Sequence, residues 1–148
     1  MLKIGDMMPY FEVVDQDGNK VTSDDLKGKK TIVYFYPKDN TSGCTAEACN
    51  LRDNYEALKA KGYNVVGVSK DSAASHRKFA DKYELPFTLL SDATTKMQQD
   101  FGVWGEKTMC GRKYMGTNAR TFIFNEDGIL EQIIEKVDTK NHAAQILG

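Results

Sequence analysis

The chain has almost no excess of charge of either sign. Its 20 lysine and arginine residues nearly balance 21 aspartate and glutamate residues, which leaves a formal net charge of −1. A strongly basic surface attracts nucleic acid or anionic lipid, and a long acidic run is typical of a charged tail. The sequence has neither feature, so we expect neither nucleic acid nor a membrane surface as a partner.

Long hydrophobic runs are missing as well. No segment approaches the roughly 18 uninterrupted apolar residues of a spanning helix, and residues 1–18 contain no apolar signal-peptide core. These absences predict a cytoplasmic location. Of the 148 residues, 41% are hydrophobic, which is enough for one globular core. We therefore expect residues 1–148 to form a single domain.

Cysteine is scarce, since the chain has only Cys44, Cys49 and Cys110. Three is an odd number, and it is too few for a small secreted domain that depends on disulfides. In a reducing compartment, catalysis and metal binding remain open as uses for these thiols.

Strand patterns and helix patterns alternate along the chain. Predicted strands cover 31–36, 64–69, 87–90, 120–124 and 130–134, and predicted helices cover 45–61, 72–83, 93–101 and the tail from 139. This alternation predicts an α/β fold with a central mixed sheet flanked by helices. Ligands of such sheets bind beyond the carboxyl ends of the strands, which is where residues 37–44 would lie.

Cys44 and Cys49 admit three interpretations. Both could be small buried hydrophobic residues of a helix face. They could bind a metal, although the spacing C-x4-C lacks a second pair of ligands and His76 and His142 are isolated in sequence. They could also be a redox pair, and the position of Cys44 after a strand and near a helix N-terminus favours a reactive thiolate.

A disulfide between these two cysteines would need a change of conformation. In an ideal helix, residues five apart rise about 7.5 Å and rotate about 140°, which separates their Cα atoms beyond the roughly 7 Å limit. Cys44 would therefore react with another molecule before Cys49 reaches it. The polar approach 37–43 supplies the Thr41 hydroxyl and successive backbone N–H groups, which suit an oxygen-rich partner such as a peroxide.

These residues resemble the peroxiredoxins, and most closely the bacterioferritin comigratory protein (PrxQ) branch. The family pattern P-x-x-x-T-x-x-C is present as Pro37, Thr41 and Cys44, and the second cysteine of the branch follows at Cys49. The segments VYFYPKDNT, GVSKDS, FTLLSD and FGVWGEK and the strand that begins at Arg120 are also similar. The resemblance covers nearly the whole chain.

The resemblance implies a thioredoxin-like fold and a role for each matching residue. Cys44 would be the peroxidatic cysteine and Cys49 the resolving one. Thr41 would hydrogen-bond the peroxide and the thiolate, and Pro37 would shield the pocket. Arg120 would keep Cys44 anionic and stabilise the transition state, and Glu47 would orient the arginine.

Each of the supporting residues also has a purely structural interpretation. Thr41 could be a helix cap or turn hydroxyl, and Pro37 could simply end a strand. Arg120 could be a surface charge at a strand end. The helix dipole alone could explain Glu47 as an acid in the first helical turn.

Two positions fall outside the pattern of the branch. Ser42 stands where the branch usually has proline, which predicts a more flexible loop. Cys110 is expected to be an exposed bystander in a polar loop, with an intermolecular disulfide or a second resolving role as alternatives.

The resulting hypothesis is a thiol-dependent peroxidase that reduces hydrogen peroxide and alkyl hydroperoxides without metal, haem or flavin. The family suggests thioredoxin as the reductant and a monomer as the expected state, with a dimer as an alternative. A general thiol-disulfide oxidoreductase on the same fold is the competing enzyme. A redox sensor that uses helix unwinding as a switch is the competing non-enzyme.

Overall fold

The computed structural model describes residues 2–148, and its centre is the strand β3. This strand covers Lys30–Phe35, and only Lys30 within it is not fully buried. It pairs in parallel with β4, Tyr63–Ser69, on one side and antiparallel with β8, Arg120–Phe124, on the other. The β-branched and aromatic residues of β3 suit a position covered on both faces of the sheet.

Nine strands and six helices make up the described residues. The remaining strands are β1 (Glu12–Asp15), β2 (Lys20–Thr22), β5 (Thr88–Ser91), β6 (Trp104–Met109), β7 (Arg112–Thr117) and β9 (Leu130–Ile134). The helices are α1 (Ser23–Leu26), α2 (Ser42–Asp53), α3 (Tyr55–Ala60), α4 (Ala73–Tyr83), α5 (Lys96–Asp100) and α6 (His142–Leu147). Seven strands form one mixed sheet in the order β2-β1-β5-β4-β3-β8-β9, and β6 and β7 form a separate hairpin.

Two hydrophobic clusters cover the two faces of this sheet. Alternate residues of β3 point to opposite sides, so Ile32 and Tyr34 belong to one cluster while Val33 and Phe35 belong to the other. The first cluster receives the buried faces of the helices α2, α3, α4 and α6. The predicted α/β class and the central mixed sheet with flanking helices are therefore confirmed.

The predicted helix 45–61 is two helices rather than one. The break falls at Asn54, whose side-chain Nδ2 donates to the carbonyl of Asn50 at 2.8 Å. Asparagine side chains compete with helical backbone hydrogen bonds in this way, so the periodicity continues across a point where the helix ends. The helix predicted over 72–83 is present as α4, and Ser72 caps it because its hydroxyl accepts from the Ser75 N–H at 3.1 Å.

The sequence prediction lacks five short elements of the described residues, which are β1, β2, α1, β6 and β7. The strands β1 and β2 are short and partly exposed, so they carry little of the hydrophobic alternation that identifies a strand. The hairpin of β6 and β7 was predicted to be a loop around Cys110. Cys110 and Gly111 instead form its two-residue turn, with positive φ angles of 52° and 78°. Among residues 2–148, no helix is long and apolar enough to cross a bilayer.

Candidate active site

The buried face of α2 carries Cys44. Residues Cys44, Glu47, Ala48 and Leu51 are the buried positions of this helix, and their spacing of three, four and seven defines one helical stripe. Cys49 lies off this stripe and is half-buried. Both thiols are free. One regular helix therefore holds the two cysteines apart, as the spacing predicts.

Cys44 lies just beyond the carboxyl end of β3. Its helix begins at Ser42 with Thr41 in the capping position, so Cys44 falls in the first turn rather than in the preceding loop. Burial raises the pKa of the Cys44 thiol, while hydrogen bonds from the Thr41 side chain and the Lys38 backbone act to lower it. The donors expected from the sequence are present, but desolvation outweighs them. A further positive charge would be needed to favour the thiolate.

Thr41 and Pro37 both precede the cysteine in the sequence motif. The Thr41 hydroxyl donates to the Lys38 carbonyl at 3.1 Å and is also within hydrogen-bonding reach of Cys44. Thr41 occupies the N-cap position of α2, but its hydroxyl accepts no hydrogen bond from the helix backbone. Capping therefore does not explain the threonine side chain at this position. Pro37 is exposed and follows the last residues of β3.

Arg120 is the first residue of β8 and lies at the same edge of the sheet. In the antiparallel register of β3 and β8, it is paired with Phe35, two residues before Pro37. Its side chain is half-buried, which differs from a fully exposed surface charge. The pairing of these strands thus brings Arg120 and the cysteine motif, far apart in sequence, to one end of the sheet.

Glu47 is buried, with only 1% of its surface exposed. Burial raises the pKa of this carboxyl to about 8. It lies beyond the first turn of α2, so the explanation by the helix dipole alone was wrong. Its Oε2 atom has no hydrogen-bond partner and lies 3.5 Å from His142 Nε2.

A network that the sequence did not reveal braces the loop between β3 and Cys44. Asp39 accepts hydrogen bonds from the hydroxyls of Tyr36 at 2.6 Å and Ser75 at 2.8 Å. Its Oδ2 also lies 2.7 Å from His76 Nδ1. Asp39 falls inside the motif loop, but nothing in the spacing of the chain links it to His76.

The same loop is tied to the strand β4 through Asp71. Its carboxylate accepts from the Asp39 N–H and from the Ser69 hydroxyl, both at 2.8 Å. The ligand atoms of Asp39, Asp71 and His76 lie within 4.8 Å of one another, a geometry that a metal site also has. All three side chains form hydrogen bonds with other groups of the protein, and these hydrogen bonds hold the loop in position.

A groove of about 300 Å³ begins beside Pro37. Its walls combine apolar side chains with lysines: Pro37, Lys38, Lys70, Trp104, Lys107, Tyr114, Met115, Gly116 and Thr117. Lys70 Nζ lies 5.8 Å from the centre of the Trp104 ring. The hairpin of β6 and β7 thus supplies one wall of a groove that opens next to the cysteine loop.

Cys110 is exposed at the tip of that hairpin, as predicted. The alternatives of a second resolving role or an intermolecular disulfide stay predictions. The segment FGVWGEK contains two aromatic residues, Phe101 and Trp104. Phe101 is fully buried, and Trp104 is half-buried in the groove wall.

A family model matches most of the chain and identifies its class. The model of the AhpC/TSA family matches residues 4–133. The buried cysteine in the first turn after a central strand of a thioredoxin-like sheet agrees with that match. The chain belongs to the AhpC/TSA family of peroxiredoxins.

Similarity to individual relatives shows to which branch of the family the chain belongs. The chain is 44% identical over 146 residues to Peroxiredoxin Bcp of Escherichia coli (strain K12), a match that covers 99% of this chain and 94% of that protein. It is 43% identical over 147 residues to a putative peroxiredoxin bcp of Coxiella burnetii, covering 99% of this chain and 97% of that one. The branch is thus the Bcp, or PrxQ, branch, whose membership implies thiol-dependent reduction of peroxide.

Solved structures agree with this assignment. A cysteine-to-serine mutant of Xylella fastidiosa PrxQ superposes with a TM-score of 0.92 at 28% identity and covers 99% of this chain and 94% of that one. The bacterioferritin comigratory protein of Xanthomonas campestris, studied for alkyl peroxide reduction, gives a TM-score of 0.87 at 31% identity. That match covers 93% of this chain and 87% of the other.

Proposed function

We propose that this peroxiredoxin reduces hydroperoxides through Cys44 and resolves the product through Cys49. The observation that carries the proposal is the position of Cys44, buried in the first turn of α2 beside donors from Thr41 and Lys38. The thiolate attacks one peroxide oxygen, the O–O bond breaks, and Cys44 becomes a sulfenic acid. The second oxygen takes a proton from solvent and leaves as water or alcohol.

The second step joins the two cysteines. The thiol of Cys49 attacks the sulfenic sulfur of Cys44, a disulfide forms and water leaves. Because a regular helix separates the two residues, the N-terminal part of α2 unwinds before this bond closes. An external dithiol then reduces the disulfide, and we propose thioredoxin for that role.

The neighbouring residues would support the first step. Burial of the Cys44 thiol raises its pKa, so a cation is required to make the thiolate the reactive form. Arg120 would supply that charge from the start of β8, and Glu47 would orient it. Thr41 would donate to the peroxide, and Pro37 would keep water from the sulfur.

The substrate class includes alkyl hydroperoxides. The groove beside Pro37 offers the apolar surfaces of Trp104, Tyr114 and Met115 to an organic substituent. Two of these side chains are exposed, with 40% of Tyr114 and 54% of Met115 accessible to solvent. An alkyl group bound there would lie next to the loop that carries the reactive cysteine.

Four broader properties belong to the same proposal. The chain would act as one domain and as a monomer, without metal, haem or flavin. Free thiols that cycle through a dithiol form suit a reducing compartment, so we propose the cytoplasm as its location. Continuity of the seven-stranded sheet supports the single domain, since strands from both ends of the chain belong to it.

The experiment that tests the proposal is stopped-flow oxidation of the reduced protein by stoichiometric hydrogen peroxide, followed by intact mass and disulfide mapping. The wild-type chain should lose two thiols and yield a Cys44–Cys49 link. Cys44→Ser should abolish peroxide consumption. Cys49→Ser should keep the first oxidation and accumulate the sulfenic acid.

Turnover separates this enzyme from its alternatives. With thioredoxin and its reductase present, the wild-type chain should consume many equivalents of peroxide. A protein that oxidises once and stops would be a sensor, and one that reduces insulin disulfides without consuming peroxide would be a general oxidoreductase. Appreciable peroxide turnover by Cys44→Ser would refute the assignment of the reactive residue.

A further inference from the structure

The C-terminal helix α6 is attached to α2 by polar contacts at the segment that must unwind. The side chain of Asn50 donates from Nδ2 to the Lys140 carbonyl at 2.9 Å. The same side chain accepts from the Ala143 N–H through Oδ1 at 2.8 Å. Asn50 directly follows Cys49, so both hydrogen bonds act at the C-terminal end of the Cys44–Cys49 segment.

A second contact acts inside that segment. Glu47 lies between the two cysteines, and its Oε2 is 3.5 Å from Nε2 of the fully buried His142. The same His142 nitrogen is 2.8 Å from the Thr121 hydroxyl of β8. His142 therefore connects α6 to both α2 and the central sheet.

Hydrogen bonds determine which nitrogen of His142 carries the proton. Gln145 Oε1 accepts from the Asp138 N–H at 2.9 Å, and its Nε2 donates to the Lys136 carbonyl at 2.9 Å, which fixes the orientation of the amide. Nδ1 of His142 lies 2.8 Å from that Oε1 atom and must donate to it. In the neutral ring, Nε2 is then an acceptor that faces Thr121 and Glu47.

The contact between Glu47 and His142 is one between neutral groups at neutral pH. Burial raises the pKa of Glu47 to about 8, and burial lowers the pKa of His142 below its usual range. The distance alone would suggest an ion pair, but both shifts disfavour the charged forms. Its effect is therefore positional: the unpartnered carboxyl oxygen of Glu47 packs against the ring of His142, which its hydrogen bonds to Thr121 and Gln145 hold in place.

We propose that His142 and Asn50 are positioning residues that hold the Cys44–Cys49 segment helical in the dithiol form. Closing the disulfide unwinds this segment, which separates Glu47 and Asn50 from α6. The strength of these contacts thus sets how often the helix opens. This inference rests on the proposed chemistry of Cys44 and Cys49, and it adds the C-terminal helix as the element that controls the second step.

The test compares variants of the full-length chain. Asn50→Ala removes both hydrogen bonds of the Asn50 side chain. Alanine has a higher helix propensity than asparagine, so if only propensity mattered, the substitution would stabilise α2. His142→Leu removes the acceptor, and His142→Gln restores a hydrogen-bonding group near the position of Nε2. Ile146→Val is the matched control, because it shortens a buried apolar side chain of α6 without changing these contacts.

Two rates report the effect. In the absence of peroxide, alkylation of Cys49 measures opening of the helix without any redox step. After peroxide, the concentration-independent phase of stopped-flow oxidation measures disulfide closure. Asn50→Ala and His142→Leu each remove two hydrogen bonds, so we expect each to raise both rates by at least about fivefold, which is the effect of losing one. His142→Gln should lie nearer to the wild-type chain, and Ile146→Val should leave both rates unchanged.

Hydrogen exchange of the wild-type chain provides a test that does not depend on variants. Amides of residues 143–147 should exchange faster in the Cys44–Cys49 disulfide form than in the dithiol form. Equal protection in both forms, or unchanged alkylation of Cys49 in Asn50→Ala, would overturn the inference. Absence of the disulfide in the wild-type chain would instead refute the proposed function, while the peroxide-free alkylation would still test the role of α6.

Discussion

His76 and Asp39 meet in the interior with 2.7 Å between Nδ1 and Oδ2, and this contact joins α4 to the loop ahead of Cys44. Neither side chain is accessible beyond 5% of its surface. The second nitrogen of His76 is 3.0 Å from the Leu90 carbonyl in β5. The cysteine loop is therefore attached to the sheet by side chains that take no direct part in the proposed chemistry.

Asp39→Asn should weaken this attachment and change the stability of the protein in acid. Burial would raise the pKa of Asp39, but hydrogen bonds from His76, Tyr36 and Ser75 together lower it. The carboxylate thus stabilises the fold above its unfolded pKa near 3.9, and this contribution is lost as pH falls through the lower folded value.

Urea unfolding at several pH values measures this effect. At pH 7, we expect Asp39→Asn to lower the free energy of unfolding by about 2 kcal/mol, since a buried and hydrogen-bonded charge is removed. When the pH is lowered from 7 to below 4, the free energy of unfolding should fall less in the variant than in the wild-type chain. The exposed Asp81→Asn, which breaks a surface pair with Arg77, is the control and should change little. Equal effects of the two changes would contradict the prediction.

Glu47→Gln should stabilise the protein at alkaline pH. Burial raises the pKa of Glu47 to about 8, so the folded chain binds a proton that the unfolded chain releases above about pH 4.3. The contribution of neutral Glu47 is complete below that unfolded value and is lost as pH rises toward 8. Glutamine keeps the shape without this loss.

The comparison of unfolding curves at pH 5 and pH 8 checks this prediction. Through Glu47, the wild-type chain should be less stable at pH 8 than at pH 5 by on the order of 3 kcal/mol, and most of that difference should be absent from the variant. Peroxidase activity of Glu47→Gln should fall if the carboxyl orients Arg120 as proposed. An unchanged pH dependence of stability would mean that Glu47 is ionised in the folded protein.

Tyr34→Phe and Tyr36→Phe should have opposite effects on stability. The Tyr34 hydroxyl is buried without a hydrogen-bond partner, so its removal should raise the free energy of unfolding by about 1 kcal/mol. The Tyr36 hydroxyl donates to Asp39 at 2.6 Å, so its removal should lower that energy by about 1.5 kcal/mol. Chemical denaturation of both variants measures these changes in the free energy of unfolding. A loss of stability in Tyr34→Phe would show that the Tyr34 hydroxyl has a hydrogen-bond partner.

Cys110→Asn should stabilise the hairpin without affecting the proposed chemistry. Positive φ angles at Cys110 and Gly111 match a type I′ turn, for which Asn-Gly is the preferred sequence. We expect a gain of about 0.5 kcal/mol in the free energy of unfolding. Cys110→Ser is the control, because it also removes the thiol but serine is not favoured in a type I′ turn. If either variant changes the number of thiols lost to peroxide, Cys110 takes part in the reaction.

Local patterns in the sequence predicted the central part of the fold. The apolar run of β3 and the periodicity of α2 identified the strand and helix that carry Cys44, because burial on one or two faces leaves a regular pattern. The spacing of Cys44 and Cys49 predicted that the helix must open before they bond. The pattern did not predict the break at Asn54, where a side-chain hydrogen bond ends the helix.

The surroundings of the cysteines depended on tertiary structure. Residue patterns were sufficient to predict the class of fold, the position of Cys44 near a helix N-terminus and the family to which the chain belongs. Packing of distant segments brought His76 to Asp39 and His142 to Glu47, and burial is the largest cause of the raised pKa values of Cys44 and Glu47. Contacts between distant segments and the desolvation they cause arise from packing, and a linear pattern of residue types does not contain them.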